Sequence, residues 1–477
     1  MDPDAQRAKL GQNPGTHERA NVLEPRSSAL VKVLRGLLGI VATVLFFVGV
    51  SAAYFSAPIH HPGEGRFSVL AAVSLLHDGD FDLCEFREPV LYGTPREVLR
   101  EGPGAIRAAQ PPGAALVALP FIALAERSLS QRAARIAQVH EFVARHNDGV
   151  ALEAIPNRIK TEAIRPFLDR AIAVLIAGGA ATALLWLAAA RVGWFAALLT
   201  ALCLAFGTSL LPSLSQSLWS QGPALLALAL GMLCLERGRK RKSWVGLAGL
   251  PLGFAWISGP ELLPVLGVLL LYVGVHERAQ TLRLIGWSLP VVVPFLLDSW
   301  LRDGVLLPSS FMPSRALTDS YFEELAGHWI SPSRGLLVFS PFLLLGIAAI
   351  GRQARTWRAP LDLWALLAAL GTSALVACDR GAWLGHGFGA RAMAPVLALL
   401  TLPLAAAVRT ALTALRTGRP WLFLALLGSA GFAILVHTSA VLAPAAWEWN
   451  VTPQPIDSDP SRLWDQNDPQ VLAFLLR

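Results

Sequence analysis

PIHHPGEGRFSVLAAVSLLHDGDFDL, residues 58–83, directly follows the first long apolar run of the chain, Val33 to Ala57. It places His60, His61, Glu64 and Arg66 where a spanning helix leaves the bilayer, then an apolar helix with a thin polar edge, then Asp78, Asp80 and Asp82. Ionisable groups at membrane depth are rare and tend to be functional, although acids at the interface are commoner than acids at the midplane. Gly65 to His77 is expected to lie as a helix in the interface, with Arg66, Ser74 and His77 near one edge and Phe67, Leu70, Val73 and Leu76 supplying apolar area.

Composition sets the class. Of 477 residues, 54% are hydrophobic and only 15% are charged, and the mean hydropathy is +0.50. A soluble domain carries roughly a quarter charged residues. The net charge of +7 does not point to nucleic acid, because the basic residues sit in short clusters between apolar runs. The expected fold is an all-α polytopic membrane protein. Cys84, Cys203, Cys234 and Cys378 share no CxxC or metal-ligand spacing, and a Cys84–Cys378 disulfide has no support beyond a shared face.

Outward from that stretch, residues 1–32 read as a disordered cytoplasmic tail, polar and without apolar period. Residues 58–166 are too polar to be membrane. Within them QPPGAALVALPFIALAER, residues 110–127, has an apolar part of only about fourteen residues, short of the roughly twenty a span needs. It reads as a juxtamembrane or re-entrant piece, and Leu129 to Arg165 as one or two surface helices. Ten further apolar runs follow: Leu168–Ala190, Trp194–Leu211, Gly222–Leu235, Trp244–Ile257, Leu262–Val275, Leu282–Leu297, Gly335–Ile350, Leu361–Cys378, Met393–Val408 and Trp421–Val441. With the first span the count is about eleven transmembrane helices.

The positive-inside rule orients them. If residues 110–126 do not span, Arg191, the cluster Arg237 to Lys242, Arg278 and Arg283, Arg352 to Arg358, and Arg409 to Arg419 all fall on the cytoplasmic side. The N-terminus is then cytoplasmic. Loops 58–166, 212–221, 298–334 and 379–392, and the tail 444–477, are extracytoplasmic. The cytoplasmic loops carry no P-loop and no GxGxxG after a strand, which argues against nucleotide chemistry there.

At this point the residues resemble the GT-C superfamily of membrane glycosyltransferases, which includes protein O-mannosyltransferases, aminoarabinose transferases and the bacterial RgtA/B/C/D-like group. GEGRFSVLAAVSLLHDGDFDL (63–83) looks like that group's segment after the first helix, and QPPGAALVALPF (110–121) like its HPPG-type element. SQSLWSQGPALLALAL (215–230), SPSRGLLVFSP (331–341), WLGHGFGARAMAP (383–395) and WNVTPQPIDSDPSRLWDQNDPQ (449–470) are similar to later elements of a bacterial branch. The resemblance implies a GT-C-like transmembrane domain over 33–443. It also implies a polyprenyl-phosphate-sugar donor, an acidic base beside the first helix, and inverting transfer on the extracytoplasmic face of the bacterial inner membrane. The acceptor would be an envelope glycan, lipid or protein. Two departures stand out: the usual acidic pair is reduced to Glu64 followed by Gly65, and loop 212–221 has no acid.

Glu64 is the candidate general base. A carboxyl group at a low-dielectric boundary ionises less readily than in water, which suits that work; the competing role is an interface acid paired with Arg66. Arg391, in GFGAR before a re-entering helix, is the candidate phosphate ligand, because a guanidinium grips phosphate bidentately and glycines admit a close approach. The competing role is a snorkelling helix-end arginine. Arg334, in SPSRG, and Arg66 are further candidates for the phosphate. His61, Trp219, Gln221, Trp383 and His386 are candidate sugar or acceptor contacts, each also explicable as aromatic belt or surface polarity.

No ligand spacing supports a divalent metal, and adjacent His60 and His61 point apart. The acids at 78–82 fail the calcium-loop pattern at Leu83 and Pro89, so a capped turn is expected there. Two other classes remain in view. A transporter or lipid flippase would place paired charges within spans, for which Glu261 and Asp298 are the clearest candidates. A non-catalytic relative would account for the missing second acid.

Overall fold

The structure, a computed structural model, describes residues 26–59, 65–86, 98–101, 105–132, 161–308, 311, 320–354 and 360–476. His60, His61 and Glu64 lie outside the described residues, as do the tail 1–25 and most of 129–164. The chain is an all-α polytopic membrane protein. The sheet among the described residues is one antiparallel ribbon, β1 (Val98–Glu101) paired with β2 (Ala105–Ala108).

The labelled helices are α1 (Arg26–Phe55), α2 (Gly65–His77), α3 (Gly113–Arg132), α4 (Arg165–Arg191), α5 (Trp194–Phe206), α6 (Gln221–Gly238) and α7 (Gly249–Ser258). They continue with α8 (Leu263–His276), α9 (Arg278–Asp303), α10 (Tyr321–Ile330), α11 (Leu343–Ala354), α12 (Pro360–Val376), α13 (Val396–Arg416) and α14 (Trp421–Leu442). Among the described residues five stretches are long and apolar enough to cross a membrane: Gly36–Phe55, Arg165–Arg191, Arg278–Arg302, Val396–Arg416 and Trp421–Leu442. Shorter apolar helices of 10–17 residues occupy most of the other expected runs. Residues Met1–Val48 and Gly49–Arg477 are separate compact units.

Two expected spans are interrupted next to a proline. The Gly335–Ile350 run is broken into a turn, Leu336–Phe339, and α11, because Pro341 donates no backbone hydrogen bond. Ser340 Oγ instead donates to Gly207 O at 2.7 Å. The Trp194–Leu211 run stops as a helix at Phe206 and gives way to a wide turn, Leu210–Leu214, around Pro212.

Helix α2 forms over the expected residues, yet it is sheathed in protein rather than spread on a lipid surface. Phe67 to Ser74 are all buried, in a core shared with Leu83, Ala114, Ala118, Ile122, Leu168 and Ile172. Helix α3 is longer than the fourteen apolar residues suggested. Pro112 precedes its first residue, a position where the missing N–H costs nothing. It packs against α2, while α4 packs on α5 and α6.

The acids after α2 form Asx turns. Asp80 Oδ1 accepts from Ser74 Oγ at 2.9 Å and Asp82 N at 3.0 Å, and Asp82 Oδ1 accepts from Ile106 N at 3.0 Å. Burial raises the Asp82 carboxyl, but the hydrogen bonds it accepts from Ile106, Cys84 and Leu83 outweigh burial and lower it from its ordinary value. Cys84 and Cys378 form no disulfide.

At the cytoplasmic ends of the expected topology, Arg191 closes α4 onto α6 and α12. Its Nε and Nη2 donate to Glu236 at 2.9 and 2.6 Å, and its Nη1 donates to both Asp362 oxygens at 2.7 and 2.8 Å.

Candidate functional site

The segment between α5 and α6 is a connection, yet residues 207–220 are buried almost throughout. Connections usually run over the surface, because buried backbone polar groups must find partners. Here they do: Leu214 N bonds Ser209 O at 3.0 Å and Ser215 N bonds Leu210 O at 2.9 Å, the wide i→i+5 pattern that recurs at functional sites.

The end of that segment is held by Asp169, one turn into α4 and 1% exposed. One carboxylate oxygen accepts from Leu218 N at 2.7 Å, and the other accepts from Ser217 Oγ at 2.7 Å. The start of α2 lies on the same group. A Cβ on Gly65 would sit 2.5 Å from Leu218 N and 2.8 Å from Asp169 Oδ1, so only glycine fits. Glu64 is the residue before it. Arg165, one turn before Asp169, and Arg66 carry charges close enough to oppose one another.

The next residue in the segment, Trp219, lies under Arg391, with the guanidinium carbon 3.5 Å from the ring centroid. A desolvated contact of this kind contributes about 2 kcal/mol. On its other side the guanidinium lies along the glycines: a Cβ on Gly385 would be 3.3 Å from Nη2, and one on Gly387 3.5 Å from Nε. The glycines thus admit Arg391 itself. Gly389 has φ 57° and a Cβ there would meet the Phe339 ring at 2.7 Å.

Arg334 is brought near Arg391, but its guanidinium is engaged by the C-terminal tail. It donates to Asn450 Oδ1 at 2.8 Å, Gly385 O at 3.0 Å, Ser333 O at 3.0 Å, and Gln470 Oε1. Burial, with the Arg391 charge second, pushes it down to about 9. Gln470, fully buried, accepts from Gly389 N at 3.1 Å and donates to Gly387 O at 3.1 Å. The tail therefore buttresses the loop that carries Arg391.

The remaining candidates separate. Trp383, 3% exposed, packs with Trp449, Leu463 and Ile456 and meets His328 edge-on at 5.2 Å, so its ring belongs to the core of the tail. His386 Nε2 lies 3.5 Å from Asp457 Oδ2, away from Trp219 in sequence and in partners. Gln221 opens α6, and its Oε1 finds no hydrogen-bond partner among the described residues. Of the sequence candidates, the structure joins Trp219 to Arg391 and sets the Gly65–Arg66 step against the same segment. Asp169 and Arg165 were missed. The available signal was a carboxylate near the start of an apolar span.

A cavity of about 480 Å³ runs along another face of α2, lined by Ser68, Ala71 and Leu75 and closed by prolines and apolar side chains of α7 and α9. Arg107, Gln110 and Arg302 are among its polar residues. Among the described residues no group of three His, Cys, Asp or Glu side chains is arranged to hold a metal ion.

Fold and site together define a multi-spanning helical membrane protein whose buried polar cluster joins the start of α2, the N-terminal part of α4, the α5–α6 connection and the loop before α13. No protein-family profile matches the chain, and no curated protein matches it. Among solved structures, the chain is similar to an Archaeoglobus fulgidus oligosaccharyltransferase, crystallised with a tethered acceptor peptide containing the NVT sequon. The identity is 12%, the TM-score 0.39, and the match covers 90% of this chain and 59% of that one. The chain therefore spans about three fifths of the length of the protein it matches.

Proposed function

We propose that this protein is a GT-C-type membrane glycosyltransferase. It moves a sugar from a polyprenyl-phosphate-linked donor to an envelope glycan, lipid or protein on the extracytoplasmic face of the bacterial inner membrane. The observation that carries the proposal is the Arg391–Trp219 stack, set by Leu218 onto the carboxylate that also abuts Gly65. One buried cluster thereby unites the expected phosphate ligand with the residue following the expected base.

In this reaction Glu64 takes the proton from an acceptor hydroxyl as its oxygen attacks the anomeric carbon. The bond from that carbon to the phosphate oxygen breaks, and its electron pair leaves on polyprenyl phosphate with inversion of the anomeric centre. Arg391, with Arg66 and Arg165 as further cations, offsets the charge that develops on the leaving phosphate. Trp219 fixes the Arg391 plane and offers an aromatic edge to the sugar. The cavity along α2 accepts part of the isoprenoid chain, with Arg107 and Arg302 among its polar residues. Arg334 serves as a positioning residue, since its donors are engaged by Asn450, Gln470 and Gly385.

A binding measurement tests this. Full-length protein in lipid nanodiscs should bind a C20 polyprenyl phosphate. Arg391→Met should weaken that binding tenfold or more, since hydrogen bonds to charged groups contribute about 1.5–3 kcal/mol. Equal affinity of the variant and the wild type contradicts the assignment.

A further inference from the structure

We infer that Asp169 is a positioning residue for sugar transfer, supplying from α4 the carboxylate that the α5–α6 connection lacks. The inference rests on the transferase reading above.

The loop 212–221 contains no acid of its own. The structure brings one to it. Asp169 is 1% exposed, and each of its oxygens accepts a hydrogen bond from that connection at 2.7 Å, one from the Leu218 backbone and one from the Ser217 hydroxyl. The group is too deep to meet an acceptor in bulk solvent, and both oxygens are already engaged. Its action therefore passes through its neighbours.

Those neighbours are the two halves of the candidate site. On one side the backbone of Gly65 is pressed against Asp169, Ser217 and Leu218 so closely that a methyl group cannot be inserted. Glu64 is one peptide unit away. On the other side Leu218 leads into Trp219, whose ring carries the Arg391 guanidinium. A single carboxylate thus fixes the register between Gly65, which follows the expected base in sequence, and Trp219, which carries the expected phosphate ligand. A buried side chain held by two donors is a stiff joint, because any displacement leaves its polar atoms short of hydrogen bonds. Reaction geometry is sensitive to such a joint: a displacement of about 1 Å can cost on the order of 100-fold in rate.

Three variants separate positioning from plain stabilisation. Asp169→Ala removes both bonds. Asp169→Asn keeps an acceptor for Leu218 N and offers an N–H to the Ser217 hydroxyl. Ser217→Ala removes one bond and leaves the carboxylate seated on Leu218. Each is expressed in a deletion strain, and sugar transfer is read by mass spectrometry of the envelope fraction per molecule of folded protein. Affinity for C20 polyprenyl phosphate is read separately in nanodiscs.

The inference predicts that Asp169→Ala lowers transfer about 100-fold while affinity for the C20 lipid stays within a few-fold of wild type. Asp169→Asn restores most of the transfer. If Asp169→Ala does not accumulate, Ser217→Ala decides, with transfer down roughly tenfold, the loss of about one hydrogen bond. Transfer per folded molecule unchanged in Asp169→Ala or Ser217→Ala overturns the inference, as does Asp169→Asn being as defective as Asp169→Ala. If wild type itself restores no sugar, the transferase reading has failed, and this assignment falls with it.

Discussion

Replacing Arg191 by Met should destabilise the protein by about 3–5 kcal/mol, the range for removing one partner of a buried ion pair. The size follows from what is left behind. Glu236 and Asp362 are 5% and 1% exposed, and Arg191 supplies two hydrogen bonds to each. Glu236 retains Arg239 at 3.1 Å, but the Arg239 side chain is 51% exposed, and such contacts contribute little. Asp362 accepts from Arg191 alone among the described residues. The variant therefore leaves a carboxylate in α12 stranded, and α4, α6 and α12 lose their common clasp. The assay is denaturant unfolding in detergent micelles, compared with a triple variant that also carries Glu236→Gln and Asp362→Asn. The triple variant should regain most of the loss, because the cost lies in uncompensated charge. A loss below about 1 kcal/mol in Arg191→Met, or a triple variant worse than the single, refutes this reasoning. Asp169 sits twenty-two residues earlier on the same helix, about 33 Å away at 1.5 Å per residue. C20 polyprenyl phosphate affinity of the folded fraction should accordingly be little changed.

Three further outcomes are expected. Gly389→Ala places an L residue at φ 57° and drives its Cβ into Phe339, whereas Gly418→Ala at φ 73° meets nothing within 4 Å. Both should carry the left-handed backbone cost of about 1–2 kcal/mol in thermal unfolding, and only Gly389→Ala should also weaken C20 polyprenyl phosphate binding. Burial, and secondarily the Arg334 charge, push the His328 imidazole down to about 3, so the folded protein keeps it neutral while the unfolded chain takes up a proton below about 6.5. Its contribution is whole above pH 6.5 and is lost as pH falls toward 3. Wild type should therefore lose about 2 kcal/mol more than His328→Gln between pH 7.5 and 5 in paired unfolding curves. Gln470→Leu removes the bonds to Gly387, Gly389 and Ala446, and limited proteolysis should then cut within 444–476 faster than in wild type.

Much of the architecture was legible because lipid-facing helices write their length into apolar runs. Where the reading failed, the reason was local: Pro341 broke a run that hydropathy alone carried through. The site was half legible. Arg391 and Trp219 could be named from their loops, yet nothing in sequence spacing joins positions so far apart; the glycines before Arg391 hinted only that something approaches closely. Asp169 escaped because the expected span began at Leu168, which made it a helix-end residue. Arg334 and Trp383 were read as available for ligand, and the structure packs both against the tail through Asn450, Gln470 and Trp449, contacts a one-dimensional reading does not hold.

The central claim is that Glu64 serves as the base for sugar transfer outside the membrane. The most direct test is mass spectrometry of envelope glycans, glycolipids and glycoproteins from three matched strains: a deletion, the deletion restored with wild type, and the deletion restored with Glu64→Gln at equal membrane abundance. The account predicts that one sugar disappears on deletion, returns with wild type and stays absent with Glu64→Gln. Full restoration by Glu64→Gln, or a deletion that changes no glycan while wild type is made, contradicts it.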